Sequence, residues 1–185
     1  MNWVDKIREQ HIDTLMQHLA AKPHRKRIMH LNDIGSIGLV VQCQSDKDKL
    51  TISQFHTLLK KRGTTLRIIE PPTNKEEQTD KYGLPKMEYL QPFIKYHYDL
   101  LIDAVTDGSL FGPFVTLNTS SNLRVGYSNE GKARPADGSA QPPATTTPER
   151  YRDIYDLLIL GNEEFELSRY LPNILEYLIQ IRKTD

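Results

Sequence analysis

The sequence Ile37-Gly38-Leu39-Val40-Val41 decides the fold class of this 185-residue chain. It is a short, apolar run bounded by Gly35-Ser36 before it and by Gln44-Ser45-Asp46 after it. An apolar run between turn-forming residues is typical of a strand buried on both faces of a parallel sheet. A second run, Thr65-Leu66-Arg67-Ile68-Ile69, follows after an interval that suits one helix. The two runs therefore predict a β-α-β unit with a right-handed crossover.

The interval between these runs has a helical pattern. Thr51-Ile52-Ser53-Gln54 has capping-box spacing, in which the threonine hydroxyl and the glutamine side chain each pair with a free backbone N–H. Phe55, Leu58 and Leu59 give the apolar face, and Gly63 suits the left-handed residue that ends a helix. We therefore expect this helix to begin near Thr51.

Three further segments have strand character. Tyr98-Asp99-Leu100-Leu101-Ile102 recurs unchanged at 155–159, and Leu123-Arg124-Val125-Gly126-Tyr127 lies between the two copies. We interpret both copies as central strands, not as an internal repeat, because each places a tyrosine and an aspartate before three apolar residues. Alternation with helical patterns predicts a three-layer α/β sandwich with an extra N-terminal helix. Its mostly parallel, Rossmann/flavodoxin-like sheet has five strands, near 37–43, 64–70, 98–104, 122–127 and 155–160.

The strand order is predicted to be 2-1-3-4-5, with the first strand central. Five apolar side chains are then expected to be nearly fully buried, namely Leu39, Val41, Leu101, Val125 and Leu158.

The chain length predicts a single domain over 1–185. Residues 1–30 hold a helix and a basic linker, His24-Arg25-Lys26-Arg27, that we interpret as solvated surface. Residues 128–150 contain four prolines but no Ile, Leu, Val, Met, Phe or Trp. Such a long polar loop is either disordered or a lid over a binding site.

Composition excludes several classes of protein. The 24 Lys and Arg balance 24 Asp and Glu, so nucleic acid and anionic membranes are not expected as partners. The single cysteine excludes an internal disulfide, and no apolar run approaches the roughly 20 residues of a membrane span. Asp5 and Lys6 stand where a signal peptide would be apolar, so we expect a cytoplasmic protein. The oligomeric state stays open.

No catalytic motif is present in the sequence. Gly35-Ser36-Ile37-Gly38 precedes its strand, whereas a dinucleotide-binding fingerprint follows one. Cys43 has Lys47 and Lys49 nearby, which would lower a thiol pKa, but without a partner we interpret it as an inert, buried thiol. We therefore predict no catalytic residue, no metal site and no cofactor.

The ligand site is predicted from the position of residues in the expected sheet, not from a sequence motif. Ligands of open α/β sheets bind outside the carboxyl ends of the strands, where the strand order reverses. The polar residues expected there are Gln44, Ser45, Asp46, Asp103, Thr106, Asp107, Ser109, Asn129 and Asn162. Asp103 and Asp107, with Thr106 and Ser109, suit a hydrated Mg²⁺ or a sugar hydroxyl. The interpretation that we prefer makes Asp107 and Ser109 turn and cap residues and Asp103 a satisfied carboxylate at a strand end. Asp99 and Asp156 are expected at the opposite rim.

Four motifs carry a family resemblance. Residues 36–40, 98–103, 124–127 and 155–159 resemble an uncharacterised Bacteroidetes-type protein family of unknown function. Residues 98–127 are also similar to part of the N-terminal domain of heptosyltransferase-like glycosyltransferases, which hold the nucleotide sugar with a second domain. This second resemblance implies a fold more than a reaction.

Two function classes follow from the sequence. One is a small α/β binding or interaction domain without its own catalysis, whose partner is unknown. The other is a small enzyme or enzyme remnant, a glycosyltransferase-like half domain acting on a phosphorylated or sugar-like ligand. An ordered cleft between 43–46 and 103–109 would favour the second class, and an edge filled by 128–150 would favour the first.

Overall fold

A five-stranded parallel sheet forms the middle layer of the protein, seen in a computed structural model that describes residues 3–128, 149–160 and 165–181. Its strands are β1 (Ser36–Val41), β2 (Thr65–Ile69), β3 (His97–Ala104), β4 (Ser120–Ser128) and β5 (Leu157–Leu160). The order is β2-β1-β3-β4-β5, and every neighbouring pair is parallel. The predicted fold class and strand order are confirmed. β1 is an interior strand as expected, but β3 occupies the middle of the sheet.

Helices cover both faces of this sheet. They are α1 (Trp3–Ala20), α2 (Asp46–Lys61), α3 (Lys75–Gln78), α4 (Met87–Ile94), α5 (Phe111–Asn118) and α6 (Leu167–Gln180). Short 3₁₀ helices span Leu31–Asp33 and Glu149–Ile154. One apolar cluster joins α2 and α6 to one face of the sheet, and a second joins α1, α4 and α5 to the other. Two such clusters require strands that are apolar on both faces.

Alternating side chains of the strands supply these two clusters. Leu39 and Val41 belong to the α2 and α6 side, whereas Val40 between them belongs to the α1, α4 and α5 side. Leu100 and Leu101 divide in the same way. The period of two along a strand therefore explains why neither run shows a polar face.

The start of α2 corrects the prediction at Thr51. Ser45 is the N-cap, and its hydroxyl accepts from Asp48 N at 3.2 Å, while the Asp48 carboxylate accepts from Ser45 N at 3.0 Å. This earlier capping box begins the helix five residues before Thr51, whose hydroxyl instead donates to the Lys47 carbonyl inside α2. Gly63 ends the helix as predicted, at φ 75°.

The second Tyr-Asp-Leu-Leu-Ile copy is not a central strand. Leu39, Val41, Leu101 and Val125 are at most 1% exposed, as predicted, but Leu158 is only half-buried. β5 begins at Leu157 and pairs only with β4, so it lies at the edge of the sheet. The correction has a simple cause, because an edge strand lacks the second neighbour that covers an interior one.

Two predictions fall largely outside the described residues. The long polar loop at 128–150 is described only at its two ends, and Asn129 and Asn162 are not described. Over the described part of the chain, no helix combines the length and apolar character that a membrane span requires.

Candidate functional site

A cleft of about 610 Å³ opens at the carboxyl ends of β1, β2 and β3. The chain runs outward from β1 to β2 and then returns past β1 to β3, so the strand order reverses here. This is the position at which open α/β sheets bind ligands. We call it the carboxyl-edge cleft, lined by Arg8, Ile12, Gln42, Cys43, Glu70–Thr73, Lys75, Thr79, Tyr82–Pro85, Asp107 and Ser109–Phe111.

Two of the predicted site residues, Asp107 and Ser109, line this cleft. Asp107 Oδ1 accepts from Ser109 N at 2.8 Å across Gly108, whose φ of 73° suits a residue without a side chain. The Ser109 hydroxyl is buried and has no hydrogen-bond partner among the described residues. These residues thus form a turn, as the alternative interpretation required, and also face the cleft.

Four predicted residues do not line the cleft. Gln44, Ser45 and Asp46 form the start of α2, where Ser45 is the cap and the fully exposed Asp46 carboxylate lies 3.1 Å from Lys49. Thr106 is half-buried in the turn after β3 and also lies outside the lining. The polar groups of residues 44–46 are used to cap α2. A helix cap and a ligand site have the same kinds of residue, so the sequence alone did not distinguish between them.

Asp103 is buried under the first turn of α5 and does not line the cleft either. Its carboxylate accepts hydrogen bonds from Val105 N at 3.0 Å and from the Tyr155 hydroxyl, and its carbonyl accepts from the Tyr170 hydroxyl at 3.1 Å. Burial raises the pKa of this carboxyl to about 6, although the two hydrogen bonds to it oppose the rise. Asp103 therefore belongs to a buried network that connects β3, the segment before β5, and α6.

Because Asp103 titrates at a higher pH in the folded chain, we expect a pH-dependent stability. The unfolded carboxyl titrates near 3.8 and the folded one near 6, so the folded state binds more protons between these values. The contribution of Asp103 to the free energy of unfolding is therefore largest at low pH. It falls by about 2–3 kcal/mol as the pH rises through this window. Urea unfolding at pH 4 and pH 7 should show this loss in the wild type but not in Asp103→Asn, which cannot ionise. Parallel pH profiles of the two proteins would contradict it.

Asp99 and Asp156 lie at the opposite rim, as predicted. Asp99 Oδ2 accepts from Gly35 N at 2.9 Å and from Ser36 N at 3.0 Å, where β1 begins. Asp156 Oδ2 accepts from Arg124 N at 2.8 Å and lies 2.8 Å from His24 Nε2. Both carboxylates hold the amino ends of strands in place and are remote from the cleft.

Several cleft residues were missing from the sequence-based site. Arg8 of α1 donates from Nε and Nη2 to the Tyr82 carbonyl, at 3.0 Å and 2.6 Å, which fixes the helix against the loop before α4. Gly83 accommodates this contact, since it has φ 81° and an added Cβ would lie 2.8 Å from Arg8 Nη2. His11 stacks on the Tyr82 ring at 4.2 Å. No local sequence pattern could indicate these contacts, because Arg8 and His11 are far from Tyr82 in the chain.

Cys43 lies in the cleft as a protonated thiol. Its Sγ is 3.7 Å from Glu70 Oε1. Burial, followed by the negative charge of Glu70, raises the pKa of the thiol to about 11, and Lys49 only partly offsets this. A thiolate is the nucleophilic form of cysteine, so this environment agrees with the prediction of an inert thiol. Cys43 is only partly buried, however, whereas the sequence predicted a buried side chain.

The cleft combines charges of both signs with unpaired polar atoms. Arg8, Lys75, Glu70 and Asp107 form no ion pair within the described part of the chain. Gln42 Oε1, like the Ser109 hydroxyl, is buried without a hydrogen-bond partner there. The described residues contain no group of three or more His, Cys, Asp and Glu side chains placed to hold a metal ion. This arrangement suits hydrogen-bonded and ionic recognition of a small polar molecule.

Comparison with known protein families assigns most of the chain to a family. Residues 5–134 match a protein family described as a family of unknown function, DUF6913. The matched range covers more than half of the chain and contains every residue that lines the carboxyl-edge cleft. None of the curated proteins searched matches the chain.

Proposed function

We propose that this chain, which belongs to DUF6913, a family of unknown function, is a binding domain that holds a small polar molecule in the carboxyl-edge cleft. The observation that carries the proposal is the position of the cleft, at the point where the strand order reverses. Its volume is within the range of small-molecule sites, about 300–1,000 Å³. The unpaired charges and buried polar atoms in its walls give a ligand specific groups to contact.

The chemistry of the walls favours binding without catalysis. The Cys43 thiol holds its proton at neutral pH, and the Asp103 carboxylate already accepts two hydrogen bonds outside the cleft. General acid–base chemistry needs a titrating group within reach of the ligand, and Asp103 does not line the cleft. The carboxylates that do line it, Glu70 and Asp107, already accept hydrogen bonds from Cys43 Sγ and Ser109 N.

An enzyme or enzyme remnant acting on a phosphorylated or sugar-like ligand is the alternative. An ordered cleft at this edge was expected to favour it, but such a cleft serves binding without catalysis as well, and the Cys43 thiol in its wall is not activated. The similarity of residues 98–127 to glycosyltransferases, the Bacteroidetes-type assignment of the family and a cytoplasmic location stay predictions from the sequence. The alternative would gain support if the protein released a sugar from a nucleotide sugar.

We expect a ligand of the cleft to raise the melting temperature. A compound present at 100 times its Kd stabilises the folded state by about 2.7 kcal/mol, which corresponds to roughly 5–10 °C for a chain of this size. The measurement is a thermal-shift screen of the full chain against nucleotides, nucleotide sugars, sugar phosphates, free sugars, amino acids and divalent ions.

A matched pair of variants assigns any shift to the cleft. Thr73 is exposed and lines the cleft, so Thr73→Trp should fill the space and abolish the shift. Thr57 is exposed on α2 away from the cleft, so Thr57→Trp should keep it. A screen without any shift, or a shift that survives Thr73→Trp, would overturn the proposed function.

A further inference from the structure

We infer that the ligand of the carboxyl-edge cleft is a sugar phosphate, whose phosphate lies against Arg8 and Lys75 and whose hydroxyl groups meet the acceptors at the strand ends. This inference rests on the proposed function and adds the chemical class of the ligand. It follows from the division of the lining side chains into two cations and a larger set of hydrogen-bonding oxygens.

Arg8 is a positioned cation. The Tyr82 carbonyl accepts from Nε and Nη2 and so fixes the guanidinium plane, but a guanidinium has five N–H donors. The donors that the carbonyl does not use are therefore held in place for an anion. A cation held in its binding geometry loses less conformational entropy when the anion arrives.

Lys75 supplies the second positive charge. It is exposed in the first turn of α3, lines the cleft, and forms no ion pair within the part of the chain that the structure describes. Two cations without carboxylate partners suit a phosphate monoester, which carries a charge of about −1.5 to −2 at pH 7, better than a single carboxylate.

The remaining polar lining consists mainly of acceptors. Glu70 and Asp107 are acceptor-only when ionised, and Gln42 Oε1 is a buried acceptor without a donor. A buried acceptor such as Gln42 Oε1 is unfavourable while it has no donor, and a hydroxyl group of the ligand would supply one. Each of the three acceptors follows a different strand, β1, β2 or β3. A ligand that pairs with all of them must therefore carry several donors at separate positions.

Sugar hydroxyl groups meet this requirement. They donate to carboxylate and amide oxygens and can also pair with the buried Ser109 hydroxyl. Bare phosphate offers no such set of donors. An amino acid with an apolar side chain presents its donors at the ammonium group alone, so it cannot reach acceptors that follow three different strands.

The test is isothermal titration of the full chain with five probes: glucose 6-phosphate, ribose 5-phosphate, glucose, glucuronate and inorganic phosphate. We expect at least one sugar phosphate to bind ten times more tightly than glucose, glucuronate or inorganic phosphate. Glucuronate binding as tightly as the phosphate esters would overturn the phosphate assignment, and inorganic phosphate binding equally well would overturn the sugar.

Three variants separate the two ends of the ligand. Lys75→Gln should weaken sugar phosphate binding about tenfold and leave glucose binding unchanged, whereas Gln42→Leu should weaken both. Lys60→Gln, which changes an exposed lysine of α2 outside the cleft, should alter neither. Equal affinities of Lys75→Gln and Lys60→Gln for the sugar phosphate would contradict the inferred position of the phosphate.

The experiments distinguish a wrong ligand class from a wrong proposed function. If an amino acid or another compound binds in a manner that Thr73→Trp abolishes, while sugar phosphates do not bind, the cleft is a binding site and the inferred class is wrong. If no compound of the wider thermal-shift screen binds, both proposals are wrong.

Discussion

Replacing Leu101 by alanine is expected to lower the free energy of unfolding by about 2–5 kcal/mol. Leu101 lies in β3, the middle strand, and is 1% exposed. It packs within the cluster that joins α1, α4 and α5 to the sheet. Its truncation removes buried apolar surface and leaves a cavity that the surrounding helices cannot close, and both effects reduce stability. Urea unfolding of the two proteins measures the difference.

Leu158→Ala is the matched control for this prediction. Leu158 has the same place in the second Tyr-Asp-Leu-Leu-Ile copy, but it is half-buried on the edge strand β5. Partial exposure reduces both the transfer free energy and the cavity, so we expect a loss of about 1 kcal/mol. Equal losses for the two variants would mean that the copies are equally buried, which would contradict the edge position of β5.

Gly112→Ala should destabilise the protein by about 3 kcal/mol, at the upper end of the usual cost of overpacking. A Cβ at Gly112 would lie 2.6 Å from Asp103 Cγ, closer than real side chains approach. The Asp103 carboxylate cannot move away easily, because Val105 N and the Tyr155 hydroxyl hold it. Alanine is otherwise the better helix former by about 1 kcal/mol, so a loss of stability would identify the clash as its cause.

Two controls accompany this substitution in urea unfolding. Gly35→Ala places a Cβ 3.6 Å from Asp99 Oδ2, an ordinary contact, and should cost much less. Combining Gly112→Ala with Asp103→Ala removes the carboxylate, so the two losses should add to more than the loss of the double variant. Strictly additive losses would show that the carboxylate is not the obstacle.

The fold was largely predictable because its determinants are local. Interior strands of a parallel sheet are apolar on both faces, so the runs at 37–41 and 98–102 could be recognised without knowing their partners. The same reasoning failed at 155–159, since an identical pentapeptide lies at the edge of the sheet. Sequence specifies the character of a strand, whereas the number of its neighbours is a property of the whole sheet.

The candidate site was predictable only in part. The cleft opens at the carboxyl ends of the strands, where the sequence predicted a site, and Asp107 and Ser109 line it. Ser45 was predicted as a ligand contact and is a helix cap, and Asp103 was predicted at the surface of the site and is buried. Short polar side chains at strand ends have caps, turns and ligands as alternative partners, and these alternatives share one local sequence pattern.

The sequence by itself determined the order of strands and helices, because hydrophobic periodicity and capping act over a few residues. Only the tertiary structure decided the composition of the carboxyl-edge cleft, in which Arg8 of α1 meets the loop at Tyr82 beside the turn at Asp107. These segments come together through the packing of α1, α4 and α5 on the sheet. Contacts between residues so far apart depend on how whole faces pack, and no short stretch of the chain encodes them.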